Sequence, residues 1–81
     1  MRHRFTPRFE RAYAAAPPEV RKAFDKRLTQ LLQDFRHPAL QTHPVPGRPG
    51  YFQGRATLHW RFYYYLDSDT YVLTDLFKHT D

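Results

Sequence analysis

Residues 58–66 read Leu-His-Trp-Arg-Phe-Tyr-Tyr-Tyr-Leu, and this stretch decides the fold of the chain. Bulky apolar side chains occupy every second position. That inward set is Leu58, Trp60, Phe62, Tyr64 and Leu66. Because successive side chains of a strand point to opposite faces, the period of two predicts a strand with one apolar face. The opposite face would carry His59, Arg61, Tyr63 and Tyr65.

Further strands are predicted on both sides of this one. Asp67-Ser-Asp-Thr70 is typical of a turn, and residues 71–77, which are mostly apolar, would return as the second strand of a hairpin. A shorter strand is predicted over 51–55, with Tyr51, Gln53 and Arg55 on one face. Residues 1–5 are predicted to add another strand.

Two helices are predicted before the sheet. Thr6 provides a hydroxyl N-cap and Pro7 suits the first helical position, so a helix should run to about Ala16, where Pro17-Pro18 ends it. Pro18 opens a second helix, whose apolar residues recur every three or four positions as far as Phe35. Residues 38–50 hold four prolines and two glycines, and therefore predict a stiff extended connection with neither helix nor central strand.

These elements predict an α+β fold in the order β-α-α-β-β-β. The N-terminal strand would join a small antiparallel sheet, and the helical hairpin would pack on one face of it. With 81 residues the chain should form a single domain, residues 1–81.

The composition narrows the function classes. The net charge is +5, and ten of the thirteen cations are arginine, which binds phosphate and carboxylate well, so polyanions or an acidic protein are expected partners. The chain has no cysteine, no apolar run long enough for a membrane span and no Gly-rich phosphate loop. We therefore expect a cytoplasmic protein with no cofactor, no metal site and no membrane partner.

The face that carries Arg61 suits RNA, because arginines neutralise phosphates and tyrosine rings stack on unpaired bases. A plainer alternative remains at this point: the charge serves solubility, and the tyrosines are half-buried side chains of an amphipathic strand. His59 and His79 lie on segments that the hairpin brings together, and histidine is the commonest acid-base catalyst near neutral pH.

Regular pairing raises a difficulty for this histidine pair. If Ser68 and Asp69 form a two-residue turn, Lys78 lies beside His59 and His79 turns to the opposite face. A bulge or the end of the strand would have to redirect His79.

The elements and local motifs together resemble the RelE/ParE toxin superfamily over nearly the whole chain. The motifs are Phe5-Thr6, Pro38-Ala-Leu, Gly54-Arg55, Trp60-Arg61-Phe62-Tyr63-Tyr64 and Lys78-His79. The resemblance implies the toxin of a toxin-antitoxin pair, which is held inactive by an antitoxin. In the RelE-like branch it also implies metal-independent cleavage of mRNA on the ribosome by attack of a 2′-hydroxyl on the adjacent phosphate.

The resemblance also assigns roles to residues. Arg61 matches the strand arginine that clamps the phosphate, and Arg55 matches the arginine of the preceding strand. His79 matches a position near the end of the last strand where the family often has a histidine or arginine, and it is the candidate acid. His59 as the base is a hypothesis from face parity alone. The full set of candidates is Arg61, His79 and His59 for catalysis, and Arg55, Gln53, Tyr63, Tyr65 and Lys78 for binding RNA and phosphate.

The chain departs from the family pattern in ways that leave its enzymatic status open. RelE-like enzymes carry lysines on the second strand of the sheet, where this chain has Gln53 and Arg55. The tyrosine that often follows the closing histidine is missing, unless Tyr63 or Tyr65 takes its role. The alternatives are a ParE-like inhibitor of DNA gyrase and a catalytically degenerate relative that binds an antitoxin.

Overall fold

In the computed structural model, which describes residues 1–79, one strand and two helices precede the remaining strands of the sheet. The elements in chain order are β1 (Arg2–Phe5), α1 (Pro7–Ala15), α2 (Pro18–Gln33), β2 (His43–Pro44), β3 (Tyr51–Arg55), β4 (Trp60–Asp67) and β5 (Thr70–Lys78). The predicted α+β class and order are confirmed, with the two-residue β2 as an addition.

All the strands form one sheet in the order β1-β5-β4-β3-β2. The pairs among β2, β3, β4 and β5 are antiparallel, as expected for strands joined by hairpins. β1 runs parallel to β5, so the sheet is mixed and not wholly antiparallel. No tight turn links these two strands, and the direction of β1 is therefore free of the hairpin constraint.

Both helices begin where the sequence supplies a start signal. The Phe9 amide donates a hydrogen bond to Thr6 Oγ1 at 3.1 Å, and Pro7 takes the first position of α1. Pro17 precedes α2, which ends at Gln33, before the last residue of the predicted apolar stripe, Phe35. Neither helix in the described part of the chain combines the length and apolarity that a membrane span requires.

The core lies between the helices and one face of the sheet. The Phe24 ring meets the Phe62 ring edge-on at a centroid distance of 5.2 Å, and Phe62 and Tyr64 are buried, as their alternation predicts. Leu58 and Leu66 were expected to join them, but they are 67% and 50% exposed. Leu58 precedes β4 and Leu66 lies at the turn end of β4, so the helices do not cover them.

The proline-rich connection is more ordered than the sequence predicts. Pro38–Leu40 forms a short 3-10 helix that buries Leu40 in the core, and His43–Pro44 pairs with β3 as an edge strand. An edge strand tolerates Pro44 because an outward-facing position needs no donor. The predicted absence of a helix is therefore wrong at Pro38–Leu40, whereas an edge strand at His43–Pro44 agrees with a prediction that excluded only a central strand.

Candidate active site

The sheet face opposite the helices, called the open face below, presents the alternate residues of β3 and β4. The register places Tyr51 opposite Tyr65, Gln53 opposite Tyr63, and Arg55 opposite Arg61. Paired residues of antiparallel strands project on the same side, so these six side chains share one surface. This is the grouping that the alternation in the sequence predicts.

A register shift in the β4–β5 hairpin decides where His79 lies. Near the turn, Tyr64 pairs with Leu73, but the next pair is Tyr63 with Asp75, which leaves Thr74 as an extra residue. The bulge turns Asp75 to the open face and keeps Leu76 in the core. It also brings His79 to the Arg61 side, where its amide donates to the His59 carbonyl.

A cavity of about 280 Å³ opens on this face. Its lining comes from three strands, the segment before β2 and the residue after β5: Gln41, His43, Gln53, Arg55, Arg61 and His79. Arg55, Gln53, Arg61 and His79 were predicted from the sequence to act together. The lining is polar and cationic, which suits an anionic ligand.

Arg61 is held in place by the main chain. The sequence places its side chain on the face that would meet a ligand, yet the residue is only 9% exposed. One terminal nitrogen, Nη1, donates to the carbonyls of Thr57, Leu58 and Trp60 at 2.8, 3.0 and 3.1 Å. The guanidinium therefore stabilises the bend before β4 while it also lines the cavity.

Arg55 lies directly across from Arg61. Like charges at opposite positions of an antiparallel pair destabilise the sheet, and an anion between them relieves the repulsion. The Nε of Arg55 is buried and has no hydrogen-bond partner within residues 1–79. A buried donor without a partner costs free energy, and a bound phosphoryl oxygen is a suitable acceptor for it.

The second imidazole of the cavity is His43, not His59. β2 sets His43 opposite Gln53, and His43 Nδ1 lies 3.2 Å from the carbonyl oxygen of Gln41. His59 is exposed and does not line the cavity. Among residues 1–79, no three His, Asp or Glu side chains come close enough together to hold a metal ion.

Lys78 lies away from the cavity. The bulge sets it opposite Trp60, whose side chain packs against the core, so Lys78 projects on the side of the helices. The regular register considered from the sequence would have placed Lys78 beside His59. The proposed contact of Lys78 with RNA therefore has no support from its position.

An aromatic patch extends the open face beyond the cavity. The guanidinium of Arg48 lies over the Tyr51 ring at 4.0 Å and 5.6 Å from the Tyr63 ring centroid, while Tyr51 and Tyr65 are 5.2 Å apart. Gly47 and Gly50 adopt positive φ angles of 77° and 84°, which let the loop fold Arg48 back over β3.

Several solved toxin structures share this architecture. A YoeB/ParE toxin from Agrobacterium tumefaciens superposes with a TM-score of 0.84 at 15% identity, over 99% of this chain and 100% of that one. The isolated RelE toxin of Escherichia coli gives 0.79 at 17% identity, over 99% and 85%. The RelBE2 toxin-antitoxin complex of Mycobacterium tuberculosis gives 0.72 at 25% identity, over 98% and 96%.

The chain has the RelE/ParE toxin fold. No model of a protein family and no curated protein sequence matches it. The fold implied by the sequence resemblance is thus confirmed, while the roles of individual residues depend on the geometry of this chain.

Within this RelE/ParE fold, sequence reasoning missed Gln41, His43 and Arg48 as parts of the open face. All three lie in the region that was predicted to be a stiff extended connection. The alternation in residues 51–55 predicts that Tyr51, Gln53 and Arg55 share one face. No comparable period marks the two-residue strand β2, so neither His43 nor Gln41 carries a sequence signal for its position.

Proposed function

We propose that this chain is the toxin of a toxin-antitoxin pair and acts as a metal-independent endoribonuclease on mRNA in the ribosome. The observation that carries the proposal is the pairing of Arg55 with Arg61 in a cavity that His79 also lines. Two guanidiniums that line one cavity suit a phosphate group, and the imidazole in the same lining supplies a proton donor.

The reaction that fits these groups is transesterification within the RNA. The 2′-oxygen attacks the adjacent phosphorus, the bond from phosphorus to the 5′-oxygen breaks, and a 2′,3′-cyclic phosphate and a 5′-hydroxyl result. Arg55 and Arg61 stabilise the negative charge that builds on the phosphoryl oxygens. His79 donates a proton to the leaving 5′-oxygen.

The aromatic patch supports a single-stranded RNA ligand. Tyr63 and Tyr65 offer ring faces, and exposed Arg48 offers a planar cation already stacked on Tyr51. Bases stack on such surfaces with little preference for sequence, each contributing about 1–3 kcal/mol. Gln53 lies between the patch and the arginines, where it can donate to and accept from a base or a ribose.

The cations of the open face extend past the cavity. The register of β1 beside β5 places Arg2 and Arg4 on this side, because His3 and Phe5 pack on the other. Within residues 1–79, the strands contribute two carboxylates to the open face, those of Asp67 and Asp75. The Asp75 carboxylate forms a salt bridge with Arg8 at 3.0 Å. Such a surface attracts the RNA of a ribosome.

A cognate antitoxin is the expected regulatory partner. Several solved neighbours, including RelBE complexes from Escherichia coli and Mycobacterium tuberculosis, are toxin-antitoxin complexes. A net charge of +5 favours an acidic antitoxin.

A translation extract programmed with a defined mRNA tests the proposal. Wild-type protein should produce cuts at fixed positions within codons, with 5′-hydroxyl ends, and Arg55→Ala should slow them by about 10²-fold to 10³-fold. Arg11→Ala is the matched control, because it removes the same charge from an exposed position on α1. It should cut at the wild-type rate.

The alternatives predict different results in the same assays. Inhibition of DNA supercoiling without any RNA cuts would assign the chain to the gyrase inhibitors. Antitoxin binding with neither activity would mark it as catalytically degenerate. Equal loss of cleavage in Arg55→Ala and Arg11→Ala would show that only the overall charge matters and that the cavity is not the site.

A further inference from the structure

The proposed reaction requires a base to take the proton from the 2′-hydroxyl, and β3 does not supply one. Its cavity residues are Gln53 and Arg55, and neither an amide nor a guanidinium is a plausible general base. We infer that His43 is this general base, an assignment that rests on the proposed function. It places the base on β2, a strand for which the sequence gives no signal.

The position of His43 meets the first requirement for a base. Its pairing with Gln53 sets it on the open face, across β3 from the strand that carries Arg61. His43 lines the same cavity as Arg55, Arg61 and His79. A phosphate between the arginines would therefore have an imidazole from β2 on one side and the imidazole of His79 on the other.

Hydrogen bonding fixes which ring nitrogen of His43 is available. Nδ1 lies 3.2 Å from the Gln41 carbonyl oxygen, and a carbonyl can only accept. Nδ1 must then carry the hydrogen, so the neutral ring has its lone pair on Nε2. A backbone carbonyl that accepts from Nδ1–H is a common way in which proteins orient a catalytic histidine.

The carbonyl that orients His43 is itself set by an uncommon backbone conformation. Gln41 has a φ of 47°, in the left-handed region that non-glycine residues seldom adopt. Its amide donates to the Pro38 carbonyl at 3.2 Å and closes the 3-10 helix. Such strained residues concentrate at functional sites, where the surrounding structure maintains them.

With these two histidines, every proton and bond in the cleavage step is accounted for. His43 Nε2 takes the proton of the 2′-hydroxyl as the 2′-oxygen bonds to phosphorus. The bond between phosphorus and the 5′-oxygen breaks, and protonated His79 gives its proton to that oxygen. His43 ends protonated and His79 neutral, and exchange with water restores both.

A substrate with a sulfur atom in place of the scissile 5′-oxygen separates the two histidines, because a thiolate leaves without a proton. The assay is single-turnover cleavage of a synthetic mRNA carrying this sulfur at the cut site in ribosomes. On the ordinary mRNA, His43→Ala and His79→Ala should each slow cleavage by about 10²-fold to 10⁴-fold. On the sulfur mRNA, His79→Ala should recover nearly the wild-type rate, whereas His43→Ala should stay slow.

Controls separate catalysis from folding and binding. His3→Ala removes an exposed histidine from the edge strand at the other side of the sheet and should cleave at the wild-type rate. His43→Ala should keep the wild-type melting temperature. It should also keep the wild-type affinity for an mRNA with a 2′-deoxyribose at the cut site, which cannot react.

Two results would overturn the inference while leaving the proposed function intact. One is wild-type cleavage by His43→Ala, and the other is recovery of His43→Ala on the sulfur mRNA. Loss of cleavage in His59→Ala, with His43→Ala unaffected, would return the role to the histidine predicted from parity. If wild-type protein cuts neither mRNA, the proposed function fails and the assignment fails with it.

Discussion

The two faces of the sheet are built from alternate residues of the same strands, yet they differ in almost every physical property. On the helix side Phe62 and Tyr64 are buried in an aromatic core. On the open side Arg55 and Arg61 face each other across the same pair of strands. The difference indicates that one parity of β4 forms the core and that the other forms the proposed site.

The separation between the faces is incomplete at Arg61, whereas Gly54 follows the alternation. Arg61 lines the cavity and also holds three carbonyls of the bend before β4. Gly54 lies between Gln53 and Arg55, but its own face is the core side against Phe62. Substitutions that move residues between faces, or that remove one face alone, are therefore the sharpest tests of the comparison.

Moving His79 to the other face should have the largest effect. Inserting an alanine between Phe77 and Lys78 shifts the parity of His79 beyond the bulge, so it would project beside Trp60. Cleavage should fall by about 10²-fold to 10⁴-fold, as expected for loss of a general acid. The measurement is single-turnover cleavage together with thermal melting.

Deleting Thr74 is the matched control for this insertion. It removes the extra residue of the bulge and keeps the pairs Tyr64 with Leu73 and Tyr63 with Asp75. His79 then stays on the open face, and cleavage should persist. Loss of cleavage in a folded deletion variant would contradict the role given to the register.

Truncation on the helix side should affect stability and not the cavity. Phe62→Ala removes a buried ring that contacts Phe24 and should lower the free energy of unfolding by about 3–5 kcal/mol, measured by urea denaturation. Leu58→Ala, at an exposed position beside the same strand, should change it by less than about 0.5 kcal/mol. Similar losses in both variants would mean that the core does not lie where the structure places it.

A smaller loss of stability is expected from adding one methyl group at Gly54. A Cβ there would collide with the Phe62 ring, so Gly54→Ala should cost about 1–3 kcal/mol through overpacking. In a double-mutant cycle with Phe62→Leu, the two substitutions should together cost less than the sum of the separate losses, because the shorter side chain leaves room. Strict additivity would show that the two positions do not touch.

Much of the fold could be predicted from the sequence, because the strands and helices carry regular side-chain patterns and start signals. The period of two through Trp60, Phe62 and Tyr64 set the core face, and Thr6 with Pro7 set the start of α1. The features that the sequence does not predict depend on single local irregularities of the structure. The bulge at Thr74 is one, although the sequence holds a hint: a regular strand would bury Asp75 in phase with Leu73.

The position of His43 illustrates the other limit of sequence reasoning. A two-residue edge strand has no periodicity, and its pairing with Gln53 depends on where the proline-rich segment meets β3. The burial of Arg61 is similar, because it depends on how the chain bends at 57–60 and not on the strand itself. Long regular elements are encoded locally, whereas these contacts come from the tertiary fold.

The smallest expected effect is a pH dependence confined to the helix side. Burial raises the pKa of Tyr64, and burial followed by the Asp34 charge raises the pKa of Tyr71. The unfolded chain loses these protons near about pH 10, while the native protein keeps them to higher pH, so the free energy of unfolding should fall as the pH rises above about 10. Urea midpoints between about pH 8 and about pH 11 should show this, with a shallower fall in Tyr64→Phe. If the urea midpoints of the wild type and of Tyr64→Phe fall equally with pH, Tyr64 is hydrated in the native state. The helix side of the sheet would then not be sealed from water at Tyr64, and the contrast between the two faces would be wrong.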